Sequence, residues 1–546
     1  MGCGGRKTPN RAFIVCMKNK HSEWFTVFTI SFIVAVINIL HVIVGYAKTL
    51  PGQVYMATGH YYLDYFEYLQ ALSQGWHGHW LSENYYGADI KIKTFFGMWQ
   101  YLIIGHVGKF FGLSQITTYW LSIIIFSIIL SLLIFFVIRK ILIDKPFYWQ
   151  LSAYILALFA APFFKIISQN NQWSFLPFRF WSDKAVLNDR FGYIPYHLTD
   201  QIITLLLIIL IANILDHIKI YSRKELILKS LIIIFLFTFL LTFSPAYFLL
   251  GVCSLSISLV WYIISKQSSV KIKFLTVMIS VLTLIGFFTK ILYIDKVFSG
   301  ISKFESTWQV HPSLYFFVLS TGPIILFIWF GIKNYLAKLS SIKLIMLNFA
   351  ISSYILFFSP LASYFGTTNM RFFSPLNYIL LGVLAVSGVK KLRSLIIISV
   401  LLIVLFIPGN LEGIKEKIND RNLSSPISYL PKGTIEGYKF LKSLIGDKIV
   451  LTTPAEFLGT IVPVYSDKTV YLTRPGQSGY DQKVNTAARF YLGLMSDNQA
   501  IDFLQKNNIG YITLSSIESY PLEKLRQYKF LQNIYQNQDI VIFSII

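Results

Sequence analysis

Cysteine is scarce here, and acidic side chains are outnumbered. Three cysteines, Cys3, Cys16 and Cys253, lie far apart, two of them before the first long apolar run, so neither a disulfide framework nor zinc-ligand spacing is available. Asp and Glu together number 26 against 48 Lys and Arg, and only 14% of the 546 residues are charged while 55% are hydrophobic. Too little polar surface exists to wrap a water-soluble globule of this size, so the solvent for most of the chain is lipid. There is also no glycine-rich phosphate loop, no internal repeat and no low-complexity tract, which leaves nucleotide binding without support. The net charge of +22 is not gathered into a patch or along one helix face. The cations punctuate apolar runs, which excludes a nucleic-acid partner and reads as topology signal plus attraction to anionic lipid headgroups.

What is present is a series of apolar runs long enough to span a bilayer, near 24–46, 116–138, 148–166, 199–217, 245–265, 272–292, 312–332 and 343–362. Shorter ones fall near 228–243, 373–389 and 394–408. A further stretch, 95–112, is interrupted by Gly97, Gly105, His106, Gly108 and Lys109. If it does not cross, the basic clusters at Arg6–Lys20, Arg139–Lys145, Lys219–Lys229, Lys266–Lys273, Lys333–Lys343 and Lys390–Arg393 all fall on one side. The positive-inside rule then makes residues 1–23 a cytoplasmic tail, and 95–112 an interfacial or re-entrant helix. The expected architecture is a mostly α polytopic membrane protein, multi-pass in the plasma membrane, with about 11 transmembrane helices over 24–408. Its N-terminus is inside and its C-terminus outside, with outer loops at 47–115, 167–198 and 293–311. After a linker at 409–432, runs such as KIVLTT, KTVYLTR, GYITLSS and DIVIFSII alternate with helical patterns. That alternation predicts an extracytoplasmic α/β domain over 433–546.

The first outer loop concentrates His60, Asp64, Glu67, His77, His79, Glu83, Asp89, Lys91 and Lys93 just after a membrane helix. Asp64, Glu67 and Tyr68, at i, i+3 and i+4, share one face of a helix, where a carboxylate can activate an acceptor hydroxyl; a solvated amphipathic loop helix has the same pattern. His77 and His79 flank a glycine in WHGHW, but no third ligand accompanies them, so no metal and no cofactor is assigned. The second outer loop mixes Trp173, Trp181, Tyr193 and Tyr196 with Arg179, Lys184, Arg190 and His197. That mixture suits a sugar face beside a phosphate, and equally an aromatic belt at headgroup level. Arg371, at the outer mouth of a late helix, either holds a lipid phosphate or snorkels to water.

The order of these parts resembles the GT-C superfamily of polyprenyl-phosphate-dependent glycosyltransferases, in particular its bacterial aminoarabinose-transferase and protein mannosyltransferase branch. Asp64, Tyr68, Gly75 and Trp76 or Trp80 match the acid, Tyr, Gly and Trp of that family's first outer loop. Its Lys-Pro-Pro element stands here as Lys93, Thr94 and Phe95, without the prolines, and its late Arg-aromatic pair as Arg371 and Phe372. The resemblance implies transfer of a sugar from a polyprenyl-phosphate donor to a lipid, glycan or protein acceptor on the extracytoplasmic face, with inversion. Asp64 is then the base, Lys93, Arg190 and Arg371 the phosphate ligands, and His60, Glu67 and Tyr68 further substrate contacts. A transporter or flippase of lipid-linked glycans is the alternative reading of a large, basic, polytopic chain; its buried charges are few and it has no visible repeat, unlike many transporters.

Overall fold

The computed structural model describes residues 9–58, 62–86, 93–94, 97–169, 172–180, 186–192, 194–266, 268–294, 305–419, 426–455, 457–473 and 479–546. Among the described residues, seven helices are long and apolar enough to cross a membrane: His21–Asn38, Gln115–Ile141, Pro195–His217, Pro245–Ile264, Ser269–Leu292, Ser341–Phe358 and Leu392–Ile418. At about 1.5 Å per residue, each is sized for a hydrocarbon core of about 30 Å. The apolar run near 312–332, expected as one helix, is instead two, Leu314–Thr321 and Pro323–Ala337, meeting at 97°. The break has a local cause. Gly322 sits at φ +91, where a Cβ would lie 1.9 Å from the Ala161 carbonyl oxygen, and Pro323 has no N–H with which to continue the first helix. Counted as one span, the bent pair brings the total to eight, short of the expected eleven. Phe147–Phe159 and Asn377–Ser387 are apolar but shorter. Arg223–Leu241 begins in charge, closed by a capping box in which Ser222 and Glu225 satisfy each other's backbone N–H groups.

The chain forms two compact units, each assembled from two stretches. The first comprises the residues up to Asn38 and Ile124–Lys415. Lipid offers helices little hydrophobic reason to associate, so they close through small residues and shared polar groups. A Cβ on Gly382 would meet the Ala153 carbonyl oxygen at 2.5 Å, and one on Gly331 the Leu384 carbonyl oxygen at 1.9 Å. The Tyr154 hydroxyl joins three helices by bonding Ser131 at 2.6 Å and Ser31 at 2.9 Å. Asn348 likewise donates to Ser258 at 2.8 Å. Beyond Phe147–Phe159 the chain forms an antiparallel hairpin, Phe164–Gln169 with Gln172–Pro177, where the sequence suggested only a loop.

The second unit comprises Ile39–Ile123 and Glu416–Ile546. Its sheet has four strands in the order Ile449–Leu451, Ile509–Ser515, Ile540–Ile545, Leu531–Gln536, the first pair parallel and the rest antiparallel. Helices Tyr480–Tyr491 and Asp497–Lys506 cover it through Ala487, Phe490, Tyr491, Phe503 and Leu504. Strands and helices alternate here, with two differences from the strands expected. KTVYLTR contributes a single bridge, Val470 to Val450, and the polar LQNIYQ segment supplies the outermost strand.

The described part of the segment 47–115 is built into this same unit. Gln53–Tyr55 pairs antiparallel with Tyr429–Pro431, and the Val470 amide donates to the Tyr85 carbonyl oxygen at 3.0 Å. The Tyr86 hydroxyl donates to the Thr460 carbonyl oxygen at 2.8 Å, and Ser73 donates to that of Val464. The segment expected as a linker is therefore partly structured: helix Leu392–Ile418 runs on through Pro408, and Tyr429–Pro431 is a strand.

Candidate functional site

Helix Tyr62–His77 carries the acidic candidates. Tyr65, Phe66, Leu69 and Leu72 are buried, while Asp64, Glu67 and Tyr68 are each partly exposed. Tyr68 and the other motif residues meet helix Trp99–Phe110 or the segment that follows it. Tyr68 stacks on Tyr101 with ring centroids 5.0 Å apart and planes at 13°, and Trp80 stacks on His106 at 4.0 Å. Trp76 Nε1 donates to the Leu113 carbonyl oxygen at 2.8 Å. Between them the two helices touch backbone to backbone. A Cβ on Gly75 would lie 2.1 Å from the Leu102 carbonyl oxygen, and one on Gly105 2.1 Å from that of Leu72. These glycines and aromatics thus fix the helix that presents Asp64.

The far end of that helix is held by basic and acidic groups. Lys442 Nζ donates to His77 Nδ1 at 2.5 Å, which requires a neutral imidazole. Burial, with the Lys442 and His79 charges nearby, pushes the His77 pKa down to about 4 against the pull of Asp467. His79 Nε2 meets Asp467 Oδ2 at 2.6 Å. Among the described residues no group of three or more His, Cys, Asp or Glu is placed to hold a metal ion. Lys93 lies in the two-residue strand Lys93–Thr94, paired with Ser82–Glu83; its side chain, like the whole of His60, Trp181, Lys184, Tyr193 and loop residues 295–304, lies outside the described residues.

In the other unit Arg371 stands on the 3₁₀ turn Asn369–Phe372 between helices Ser341–Phe358 and Asn377–Ser387. Its Nη2 donates to Glu305 Oε1 at 2.5 Å and its Nη1 to the Tyr196 hydroxyl at 2.8 Å, while more than a third of the side chain stays exposed. Thr367 Oγ1 donates to the second Glu305 oxygen at 2.8 Å. Burial raises the Glu305 pKa, but the Arg371 guanidinium and the bonds from Thr367 and the Thr368 amide outweigh it and hold the carboxyl below its ordinary range. Glu305 escaped the sequence analysis because its partner lies 66 residues away. The available signal was an acid between two apolar runs of an acid-poor chain.

Arg190 is buried, at 4% exposure. Its Nη1 donates to the carbonyl oxygens of Ala157 and Leu158, each at 2.7 Å, its Nη2 donates to that of Ala160, and its guanidinium carbon lies 3.8 Å from the Tyr378 ring centroid. It caps the end of helix Phe147–Phe159, where the last carbonyls lack intrahelical partners. Within the first unit, then, Arg371, Glu305 and Tyr196 form one cluster and Arg190 is engaged with backbone; Asp64, Glu67, Tyr68 and Lys93 belong to the second unit.

No protein-family model matches the chain, and no curated protein matches it in sequence. Solved structures do share its fold. The oligosaccharyltransferase AglB from Archaeoglobus fulgidus, solved with an inhibitory peptide and a dolichol-phosphate, matches with TM-score 0.50 at 12% identity, over 91% of this chain and 70% of that one. ArnT from Cupriavidus metallidurans, in the apo state, matches with TM-score 0.50 at 10% identity, over 96% of this chain and 98% of that one. The mycobacterial arabinofuranosyltransferase AftD matches with TM-score 0.51 at 10% identity, over 94% of this chain and 41% of that one. The fold of this chain is the fold of these three proteins.

Proposed function

We propose that this chain, built on the GT-C fold, is a membrane glycosyltransferase. It moves a sugar from a polyprenyl-phosphate donor to an acceptor hydroxyl on a lipid, glycan or protein at the extracytoplasmic face of the plasma membrane. The carrying observation is that Asp64 is partly exposed on a helix held in place by the family-like Gly75 and Trp76 and by the stacking of Tyr68 on Tyr101, in a chain that shares its fold with ArnT over nearly the full length of both. In AglB the bound dolichol-phosphate is a lipid phosphate of the class the reaction requires.

The chemistry follows from the residues. Asp64 accepts the proton of the acceptor hydroxyl as its oxygen attacks the anomeric carbon. The bond from that carbon to the phosphate oxygen breaks, and the electron pair leaves with the polyprenyl phosphate, whose charge Arg371 and Lys93 stabilise. A single displacement inverts the anomeric centre. Glu67, Tyr68 and His60 contact sugar or acceptor, and Arg190 acts through the helix end it caps.

The orientation proposed places the basic loops in the cytoplasm and the second unit outside. Eleven crossings follow if the bent pair, Phe147–Phe159, Arg223–Leu241 and Asn377–Ser387 span as well. Helix Trp99–Phe110 then lies in the interface, since it buries Tyr101, Leu102, Gly105 and Gly108 and exposes Ile103, Val107 and Phe110 at helical spacing.

The test is Asp64→Asn in cells, with lipid-linked sugars and surface glycans followed by mass spectrometry. The expected outcome is an accumulated polyprenyl-phosphate sugar and a matching missing glycan, with the protein present at normal level. Unchanged glycans would refute the assignment of Asp64.

A further inference from the structure

Arg371 is not held by Glu305 alone. The segment carrying Glu305 is fastened to the turn carrying Arg371 at several points. Gln309 Nε2 donates to the Thr367 carbonyl oxygen at 2.9 Å, and the Asn369 amide donates to Gln309 Oε1 at 3.0 Å. Asn369 Nδ2 donates to the Val310 carbonyl oxygen at 2.6 Å, while the Val310 amide donates to Asn369 Oδ1 at 2.9 Å. A carboxylate on a segment so fastened, with its second oxygen bonded by Thr367, has little freedom to swing away when an anion arrives. Meanwhile Glu305 and Tyr196 engage one N–H on each terminal nitrogen of the guanidinium, and a planar five-donor group held on two sides has a set direction for its remaining donors.

We infer that Glu305 is a positioning residue for Arg371: with Tyr196 it fixes the guanidinium plane so that the free donors face the phosphate of the lipid-linked donor. This rests on the proposed role of Arg371 in binding that phosphate.

Simple Coulomb reasoning predicts the opposite sign for removing this acid, because a negative charge beside an anion site should weaken anion binding. That contrast makes the inference testable. Binding of undecaprenyl phosphate to the purified full chain in nanodiscs is measured for wild type, Glu305→Ala, Glu305→Gln, Glu305→Asp and Arg371→Ala. Glu305→Ala is expected to weaken binding about tenfold despite removing a repulsive charge, since an unheld guanidinium loses preorganisation. Glu305→Gln keeps the acceptor and the reach and is expected to restore affinity to within about threefold of wild type. Glu305→Asp keeps the charge and shortens the arm; it is expected to weaken binding like the alanine variant, and stands in for it should that variant not fold. Equal or tighter binding by Glu305→Ala and Glu305→Asp, with binding lost in Arg371→Ala, would overturn the positioning role alone. Unchanged binding in Arg371→Ala would overturn the phosphate role of Arg371 and this inference with it.

Discussion

Arg190 and Arg371 are the same residue type in segments between helices of the first unit, yet their surroundings give them different work. Arg190 faces the carbonyls at a helix end and is buried; Arg371 keeps more than a third of its side chain exposed and pairs with a carboxylate. Replacing Arg190 with Ala leaves those carbonyls without their donors in an apolar setting and is expected to cost about 2–4 kcal/mol, read as a lower thermal midpoint in detergent. Arg371→Ala removes one partly exposed pair with Glu305 and one bond to Tyr196, and its stability loss should be smaller, about 1–2 kcal/mol, measured the same way. A sequence cannot separate the two arginines, because burial and partners are set by residues far along the chain. Asp64, Glu67 and Tyr68 were legible because helical spacing alone places them on one face.

At the scale of elements, hydropathy located the long helices, since a lipid-spanning segment must satisfy its backbone internally and be apolar throughout. It did not locate the bend at Gly322, which depends on a contact with Ala161, nor the hairpin Phe164–Pro177, whose residues continue an apolar run into strands. The edge strand Leu531–Gln536 was missed for the reverse reason, being polar and largely solvent-facing. Helix Tyr62–His77 illustrates how an element serves the site. Gly75→Ala would drive a methyl group into the Leu102 backbone and should destabilise the second unit by about 1–3 kcal/mol.

The same helix end is pH-sensitive. His77 binds its proton more weakly in the folded chain, with a pKa of about 4, than in the unfolded one at about 6.5, so the unfolded state holds the extra proton between those values. Stability contributed by neutral His77 is therefore present above about pH 6.5 and is lost as pH falls toward 4. Thermal midpoints measured across that window should fall more steeply for wild type than for His77→Gln. Parallel slopes would contradict this account of His77.

For the whole molecule, the proposed orientation rests on the placement of the cations, because charge across a bilayer is a global constraint rather than a local one. In a chain whose native cysteines are replaced, Ile445→Cys, at a residue 96% exposed in the second unit, should react with a membrane-impermeant maleimide in intact cells. Lys391→Cys should react only after permeabilisation. What sequence could not supply was the joining of the segment 47–115 to the C-terminal sheet and helices in one unit, which rests on pairings such as Gln53 with Pro431 across most of the chain. The central claim is chemical, and the most direct measurement is made on purified chain in nanodiscs supplied with the polyprenyl-phosphate sugars extracted from its own cells. Mass spectrometry should find free polyprenyl phosphate released by wild type in the presence of the surface acceptor fraction, and about 10²–10⁴-fold less released by Asp64→Asn. Equal release by the two, or none by either with the acceptor present, would contradict it.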